Sequence, residues 1–410
     1  MRTWKLENAE DTKKKFILWL LFPLLSLVSS LSSIRTKSSF IIIFLILLQI
    51  GLCMTMTNIR TEGSGDAISY RANFEDASRY LTENEFMSDA HDYFVTHTSF
   101  DKDYYDNTLI YIVSRFTDNY HIFFLFAAFI PAIFMLKYFK YYVLDENFKL
   151  TVLSIIPIIW FLLGHINAVA GVRYYTASWV SLYAMYKVFL EKKNAYIILS
   201  FLASLIHIGL ISMFFLTIIG VLTRKFEFFW RVVFFVSIVF SSFSLLFMAE
   251  ITAYLPDSLA QIVIFYTSEE EVQKEVTGTG FYMVGHVFDT VRPYVLMCIV
   301  AVFMVKKEEI KNNQKTKGLY LFLIIVAAYA NFFLSVPDMG SRVMMRTELP
   351  LICYIWMSNA KSLKKYRWIL WVYLFFMIFT IRHQLTQYLS YMQFDFYVGS
   401  PIYLLLKYAI

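Results

Sequence analysis

Apolar residues run in long blocks along this chain. The blocks lie near residues 16–34, 39–57, 120–140, 150–168, 170–190, 228–249, 291–306, 318–335, 345–359 and 367–385. A helix needs about 17–25 mostly apolar residues to cross a bilayer. A further block, 194–222, is too long for one such helix. The polar stretches between blocks are too short to enclose a soluble core. The pattern predicts an all-α polytopic membrane protein, since helices satisfy their own backbone in lipid.

Charge orders the blocks. Basic clusters mark the cytoplasmic side. They occur at Arg35/Lys37, Lys137/Lys140, Lys192/Lys193, Arg224/Lys225, along Lys306–Lys317, and at Lys361/Lys364/Lys365. Segment 58–119 is the opposite, with 12 of the 31 acidic residues and 5 of the 37 basic ones. It is expected to be a large extracytoplasmic loop. Basic pairs flank block 194–222 on both sides, so an even number of crossings lies between them. A hairpin of two short helices follows, with His207-Ile208-Gly209 at its outer tip. Glycine suits such a turn because it tolerates positive φ.

The same counting places 167–173, 250–290 and 336–345 outside. It gives about twelve crossings, both ends outside, and one integral membrane domain over 1–410. Residues 386–410 are expected to form an interfacial segment. Lys13–Lys15 pull against an outer N-terminus. A re-entrant first segment, containing Pro23 and several serines, is the alternative. A cleaved signal peptide is disfavoured, because no small-x-small site follows the block.

Composition narrows the classes further. Hydrophobic residues make up 58% of the 410, and charged residues 17%. A soluble domain carries about a quarter charged residues. Mean hydropathy is +0.55. Disordered, collagen-like and ordinary soluble proteins are thereby excluded, and nothing points to a nucleic-acid partner. Cys53, Cys298 and Cys353 each sit in an apolar block, without zinc or disulfide spacing. No Gly-rich phosphate loop, H-E-x-x-H or G-x-S-x-G occurs. Asp101-Lys102-Asp103 has the D-x-D spacing of metal-holding glycosyltransferases. It lies in an acid-rich loop where chance matches are expected, so no metal or cofactor is assigned.

The predicted topology gathers cations on one face. Arg60 and Asp66 begin the large loop, Arg173 opens a helix, His207 occupies the hairpin tip, and Arg342 and Arg346 enter a late span. A single Arg at the membrane edge is explained by snorkelling. Several Arg with a His on one face suit a pyrophosphate, which guanidinium groups bind in a fork. Tyr70 and Tyr105 in the loop are candidates to stack on sugars. His165 is either an aid to Arg173 or a structural histidine. Glu348 is the main acid within a span.

At these residues the chain resembles a known family. N-I-R-T-E-G-S-G-D-A-I-S-Y-R-A-N-F at 58–74 resembles the signature after the second span of EpsG-type proteins. F-D-K-D-Y-Y-D-N-T-L-I-Y-I-V-S-R-F-T-D-N-Y at 100–120 resembles their next block. I-N-A-V-A-G-V-R-Y-Y-T-A-S-W-V at 166–180, followed by A-S-L-I-H-I-G at 203–209, is the strongest match. S-R-V-M-M-R-T-E-L-P at 341–350 resembles the late Arg-containing span. The lysine-rich N-terminus departs from the family pattern.

EpsG-type proteins are similar to Wzy polysaccharide polymerases. The resemblance implies a glycosyltransferase of the GT-C class with an extracytoplasmic site in the bacterial cytoplasmic membrane. Its substrates would be undecaprenyl-pyrophosphate-linked oligosaccharide repeat units for exopolysaccharide, capsule or O-antigen. By matching motif, Arg60, Asp66, Arg173, His207 and Arg342 inherit site status. Arg173, with Arg342 or Arg60, would stabilise pyrophosphate charge without a metal, and His207 or Asp66 would be the base. Partners implied are membrane lipids, a chain-length regulator and a flippase. The rival functions are a flippase or transporter of lipid-linked glycan, an O-antigen-type ligase, and a structural assembly subunit.

Overall fold

The computed structural model describes residues 3–55, 66–96, 103–254, 260, 264, 281–336, 338–388, 392–393 and 395–409. Arg60 and Asp101 lie outside the described residues, as do parts of the two expected outer loops. The elements among the described residues are helical, apart from an isolated antiparallel bridge between Met54 and Met392. The chain divides into two compact units. One comprises Met1–Tyr183, Phe201–Ile211 and Ile381–Ile410, and the other Ala184–Ser200 and Ser212–Thr380.

The first unit is built on an antiparallel pair, Lys37–Leu52 and Tyr120–Val143. Thr36 caps the first helix by accepting the Ser39 N–H, and Asn119 caps the second by accepting from His121. At one end Arg35 donates to the carbonyls of Val143 (3.1 Å), Asp145 (3.1 Å) and Phe148 (2.6 Å). The first bond occupies a carbonyl that the helix C-terminus leaves unsatisfied, and the other two hold the turn that follows it. At the other end His121 Nδ1 meets the Leu52 carbonyl at 2.9 Å. Gly51 permits the close approach there, since a Cβ would lie 2.4 Å from the Phe124 carbonyl oxygen.

Val152–Ala170 starts at the Arg35 end, where the Tyr142 hydroxyl donates to the Ser154 carbonyl at 3.3 Å. Its ladder closes on Gly171, and Val172–Met185 turns back. The rings of Tyr138 and Phe161 pack on Trp179 at 5.8 and 5.6 Å. Arg173 therefore stands at the His121 end. Asp66–Tyr80 and Tyr105–Ser114 cover that end. Phe74 stacks on Phe123 at 5.2 Å, and Arg115 donates to the Ala77 carbonyl at 3.0 Å.

The first apolar block is two helices rather than one continuous helix, in keeping with the re-entrant alternative at Pro23. Ala9–Leu21 and Pro23–Ser32 meet at Phe22, whose φ of −143° and ψ of 83° break the helix. Pro23 has no N–H to continue a ladder and is suited to a first helical position. The block folds back on itself. The Lys5 N–H donates to the Arg35 carbonyl at 3.0 Å, and the Ser26 hydroxyl to the Lys15 carbonyl at 3.0 Å. Lys15 is buried. Its ammonium donates to the Glu7 carboxylate and to the hydroxyls of Thr36, Ser38 and Ser39.

Block 194–222 is a hairpin, as the flanking charges predict. Its helices are Ile197–Ile206 and Ile211–Leu222, with a 3-10 turn at Ile208–Leu210 between them. Gly209 is not there for a positive φ. Its N–H donates to His207 Nδ1 at 3.0 Å, and a Cβ would press on the imidazole at 3.1 Å.

In the second unit Glu227–Val239 packs on Lys317–Phe332. Lys311 and Glu227 form an ion pair at 2.8 Å. Lys317–Phe332 runs antiparallel to the stretch from Met339–Val343 through Leu349–Ser358. Asn359 donates to Thr316 at 3.2 Å at one end. At the other, a Cβ on Gly340 would lie 2.5 Å from the Ala330 carbonyl oxygen. A π turn, Met344–Glu348, interrupts this stretch. Glu348 is fully buried, and neither carboxylate oxygen finds a hydrogen-bond partner among the described residues.

Among the described residues, three helices are long and apolar enough to cross a membrane: Tyr120–Val143, Val152–Ala170 and Lys317–Ser335. Glu227–Val239 and Phe243–Thr252 would make a fourth, but they meet at 95°. Twelve separate long spans are not seen among the described residues. Several blocks are divided by a bend, a proline or a π turn into helices of 10–17 residues.

Candidate functional site

The site candidate lies in the first unit, around Arg173. Gly171 ends one helix with its N–H on the Asn167 carbonyl at 2.8 Å, and Val172–Met185 begins beyond it. Arg173 thus occupies the first turn of a new helix. Its Nε donates to the Tyr70 hydroxyl at 2.9 Å. Its Nη1 lies 3.5 Å from Asp103 Oδ2, and Nε lies 3.9 Å from Asp106 Oδ2. The guanidinium remains 26% exposed. Nη2 takes part in none of these contacts, so one nitrogen of the guanidinium is uncommitted by them.

Asp103 is 3% exposed and joins three segments. Oδ1 accepts the Ile208 N–H at 2.6 Å, and Oδ2 lies 3.7 Å from His207 Nδ1. The hairpin tip and the Arg173 helix therefore meet on one carboxylate. Tyr174 packs edge-on against His207 with ring centroids 5.3 Å apart. His207 Nδ1 accepts from Gly209, which assigns the neutral ring proton to Nε2.

Tyr70 is 4% exposed. Burial pushes its phenol above the ordinary range, while the neighbouring Arg173 pulls it the other way. Tyr105 is pushed up to about 12 by burial. Both rings are packed into the base of the site. Tyr70 is a hydrogen-bond partner of Arg173. Asp66 is exposed, four residues before Tyr70 and on the same helix face.

The remaining sequence candidates fall elsewhere. Arg60 is outside the described residues. Arg342 pairs with Asp338, and Arg346 lies in the π turn, both in the second unit. His165 is fully buried in its helix and is not among the side chains bonded to Arg173. Among the described residues, no group of three or more His, Cys, Asp or Glu is arranged to hold a metal ion.

A model of the EpsG family matches residues 39–397. The chain belongs to the EpsG family. No curated protein and no solved structure matches it. EpsG is a Wzy-like polymerase family, which points to a polysaccharide polymerase role in exopolysaccharide biosynthesis. Together with the apolar helices it identifies a membrane protein. The EpsG match spans Tyr70, Asp103, Asp106, Arg173 and His207, and it begins at Ser39, a partner of the buried Lys15.

Sequence reasoning singled out Arg173, His207 and Tyr70, which the fold brings together. It missed Asp103 and Asp106 as their partners. A signal was present: the two acids are three residues apart, just before and within the first turn of an apolar helix.

Proposed function

We propose that this protein polymerises lipid-linked oligosaccharide repeat units at the extracytoplasmic face of the bacterial cytoplasmic membrane. The growing glycan leaves its undecaprenyl pyrophosphate and joins a sugar hydroxyl of another lipid-linked unit. The anomeric carbon–oxygen bond to pyrophosphate breaks, and a bond to the acceptor oxygen forms. The acceptor loses its proton and the pyrophosphate keeps the electron pair. The observation that carries this proposal is the convergence of Arg173 and His207 on Asp103, with the Nη2 of the guanidinium uncommitted by these contacts.

Arg173 stabilises the charge that grows on the leaving pyrophosphate, a role that needs a preplaced cation. His207, with its Nδ1 lone pair held by Gly209, presents Nε2–H as a donor to the same group. Asp66, exposed and one turn from Tyr70, is the base for the acceptor hydroxyl. Arg60, Arg342 and Arg346 are further candidate cations, each tested by replacement with alanine. The His121 end of the first unit is then the outer end. The basic Arg35 end, with Lys137 and Lys140, is cytoplasmic.

The test is gel analysis of surface and lipid-linked glycan from a deletion strain. It is complemented with wild type, Arg173→Ala or His207→Ala. Single repeat units without long chains, unrepaired by either variant, are expected. Loss of one such donor costs on the order of 10²–10³ in rate in well-studied enzymes. Normal polymer from Arg173→Ala overturns the site. A flippase is the second possibility, favoured by Glu348, since intramembrane acids commonly mark ion-coupled pathways. Glycan trapped inside the cell would select it. Long chains left on the lipid carrier would select a ligase.

A further inference from the structure

Arg173 and His207 lie 34 residues apart, on a helix start and on a hairpin tip. The Tyr174 and His207 rings pack edge-on, and Asp103 supplies the polar link between the two elements. The hairpin tip is a bare turn. The Ile208–Leu210 segment is a single 3-10 turn, and its first N–H would have no partner inside the turn. Asp103 supplies that partner through Oδ1 at 2.6 Å. Its other oxygen faces both Arg173 Nη1 (3.5 Å) and His207 Nδ1 (3.7 Å). The carboxylate is 3% exposed and lies behind the Arg173 guanidinium and the neutral His207 ring, away from solvent.

Each oxygen thus has a separate task. Oδ1 fixes the backbone of the tip, and through it the direction of the His207 ring. Oδ2 sets the charge against which Arg173 is oriented. We propose that Asp103 is the positioning residue of the site, holding Arg173 and His207 at a common distance from the transferred group. This rests on the polymerase function proposed above and adds to it a residue that never touches the substrate. The Asp101-x-Asp103 spacing then has a role for its second acid in Arg173 and the hairpin tip. Asp106, 3.9 Å from Arg173 Nε, braces the other side of the guanidinium.

Asn is the informative replacement. It is isosteric, and its carbonyl oxygen still accepts the Ile208 N–H. It then turns an NH2 group toward Arg173 and His207, where Asp presents an anion. Tip anchoring survives while charge positioning is lost. Misplacement of a catalytic group by about 1 Å can cost on the order of 10²-fold.

The experiment uses full-length protein in reconstituted vesicles, with lipid-linked repeat units extracted from the deletion strain. Asp103→Asn is expected to lower kcat about 10- to 100-fold, with KM little changed. Its thermal midpoint should equal that of wild type. In an Arg173→Lys background the same change should cost less than about 3-fold, because the fork it positions is gone. Wild-type kcat in Asp103→Asn overturns the proposal. So do losses that simply multiply in the double variant, or a thermal midpoint that falls with kcat. Wild-type polymer from Arg173→Ala would instead remove the polymerase site itself, so the two failures are distinguishable.

Discussion

Arg173 Nε donates to the hydroxyl of Tyr70 at 2.9 Å, across 103 positions of sequence. The phenol is buried and neutral, so the bond joins a charged donor to an uncharged acceptor. Such bonds contribute about 1.5–3 kcal/mol when buried. Arg173 is partly exposed, which places the contribution at the low end. Tyr70→Phe keeps the ring and removes the acceptor. Polymer synthesis should fall about tenfold, with protein levels in the membrane close to wild type. Quantifying polymer against protein amount checks this. An unchanged yield would mean that Asp103 and Asp106 suffice to orient the guanidinium.

His207 serves as the N-cap of the tip turn as well as a site residue, and the two roles can be separated. Asn offers a side-chain oxygen where His offers Nδ1 to the Gly209 N–H. His207→Asn should therefore keep the cap and the melting temperature but lose polymer. His207→Ala should lose both, with about 1 kcal/mol of stability gone. Gly209→Ala should also lose polymer, because its methyl group would meet the imidazole at 3.1–3.2 Å and displace it.

Glu7 makes a pH prediction. Burial by itself would raise its carboxyl, but hydrogen bonds from Lys15, Ser38 and Thr12 outweigh this and hold it below the usual range. A carboxyl lowered in the fold stabilises it above the unfolded value of about 4.3, and that contribution is lost as pH falls through the folded value. Thermal midpoints in detergent, taken from pH 7 downward, should fall more steeply below about pH 4.5 for wild type than for Glu7→Gln. The variant should already be weaker at pH 7, since it leaves the Lys15 charge buried without its anion.

The fold-back at Phe22 predicts sidedness. Lys5 and Lys37 are both exposed and flank the Lys5–Arg35 backbone bond. In a background lacking Cys53, Cys298 and Cys353, Lys5→Cys and Lys37→Cys should react with an impermeant thiol reagent from the same side. Labelling from opposite sides would restore a crossing through block 16–34. With the fold-back, the pull of Lys13–Lys15 toward the cytoplasm no longer conflicts with the basic Arg35/Lys37 cluster.

The legible part of this fold is the part that periodicity and charge determine. The paired basic clusters around 194–222 required a hairpin, and its tip is at His207. The order of short motifs put Arg173 and His207 on one face, and they meet there. Phe22 was harder. Pro23 and the serines marked a weak point, but only the contact between Lys5 and Arg35 shows which way the chain turns. Lys15 was opaque for a similar reason. Its partners Thr36, Ser38 and Ser39 are more than twenty residues away, so a free charge and a buried one look alike in sequence. Asp103 sat in a loop so rich in acid that composition alone hid the one carboxylate the Arg173 helix uses.

The hairpin arms Asn194–Ile206 and Ile208–Leu222 hold a last consequence. At about 1.5 Å per residue they are about 20 and 22 Å long. A hydrocarbon core is about 30 Å thick. In the proposed topology Lys192/Lys193 and Arg224/Lys225 lie at the cytoplasmic surface, and arms of this length would leave the tip about 10 Å short of the outer one. His207 and the Asp103 carboxylate bonded to its neighbour would then work in a dent below the water line. Field lines there are poorly screened, and a contact between opposite charges is worth several times its value in bulk solvent. An anionic headgroup has to shed water to enter such a dent, and lipids thick enough to deepen it should slow the protein.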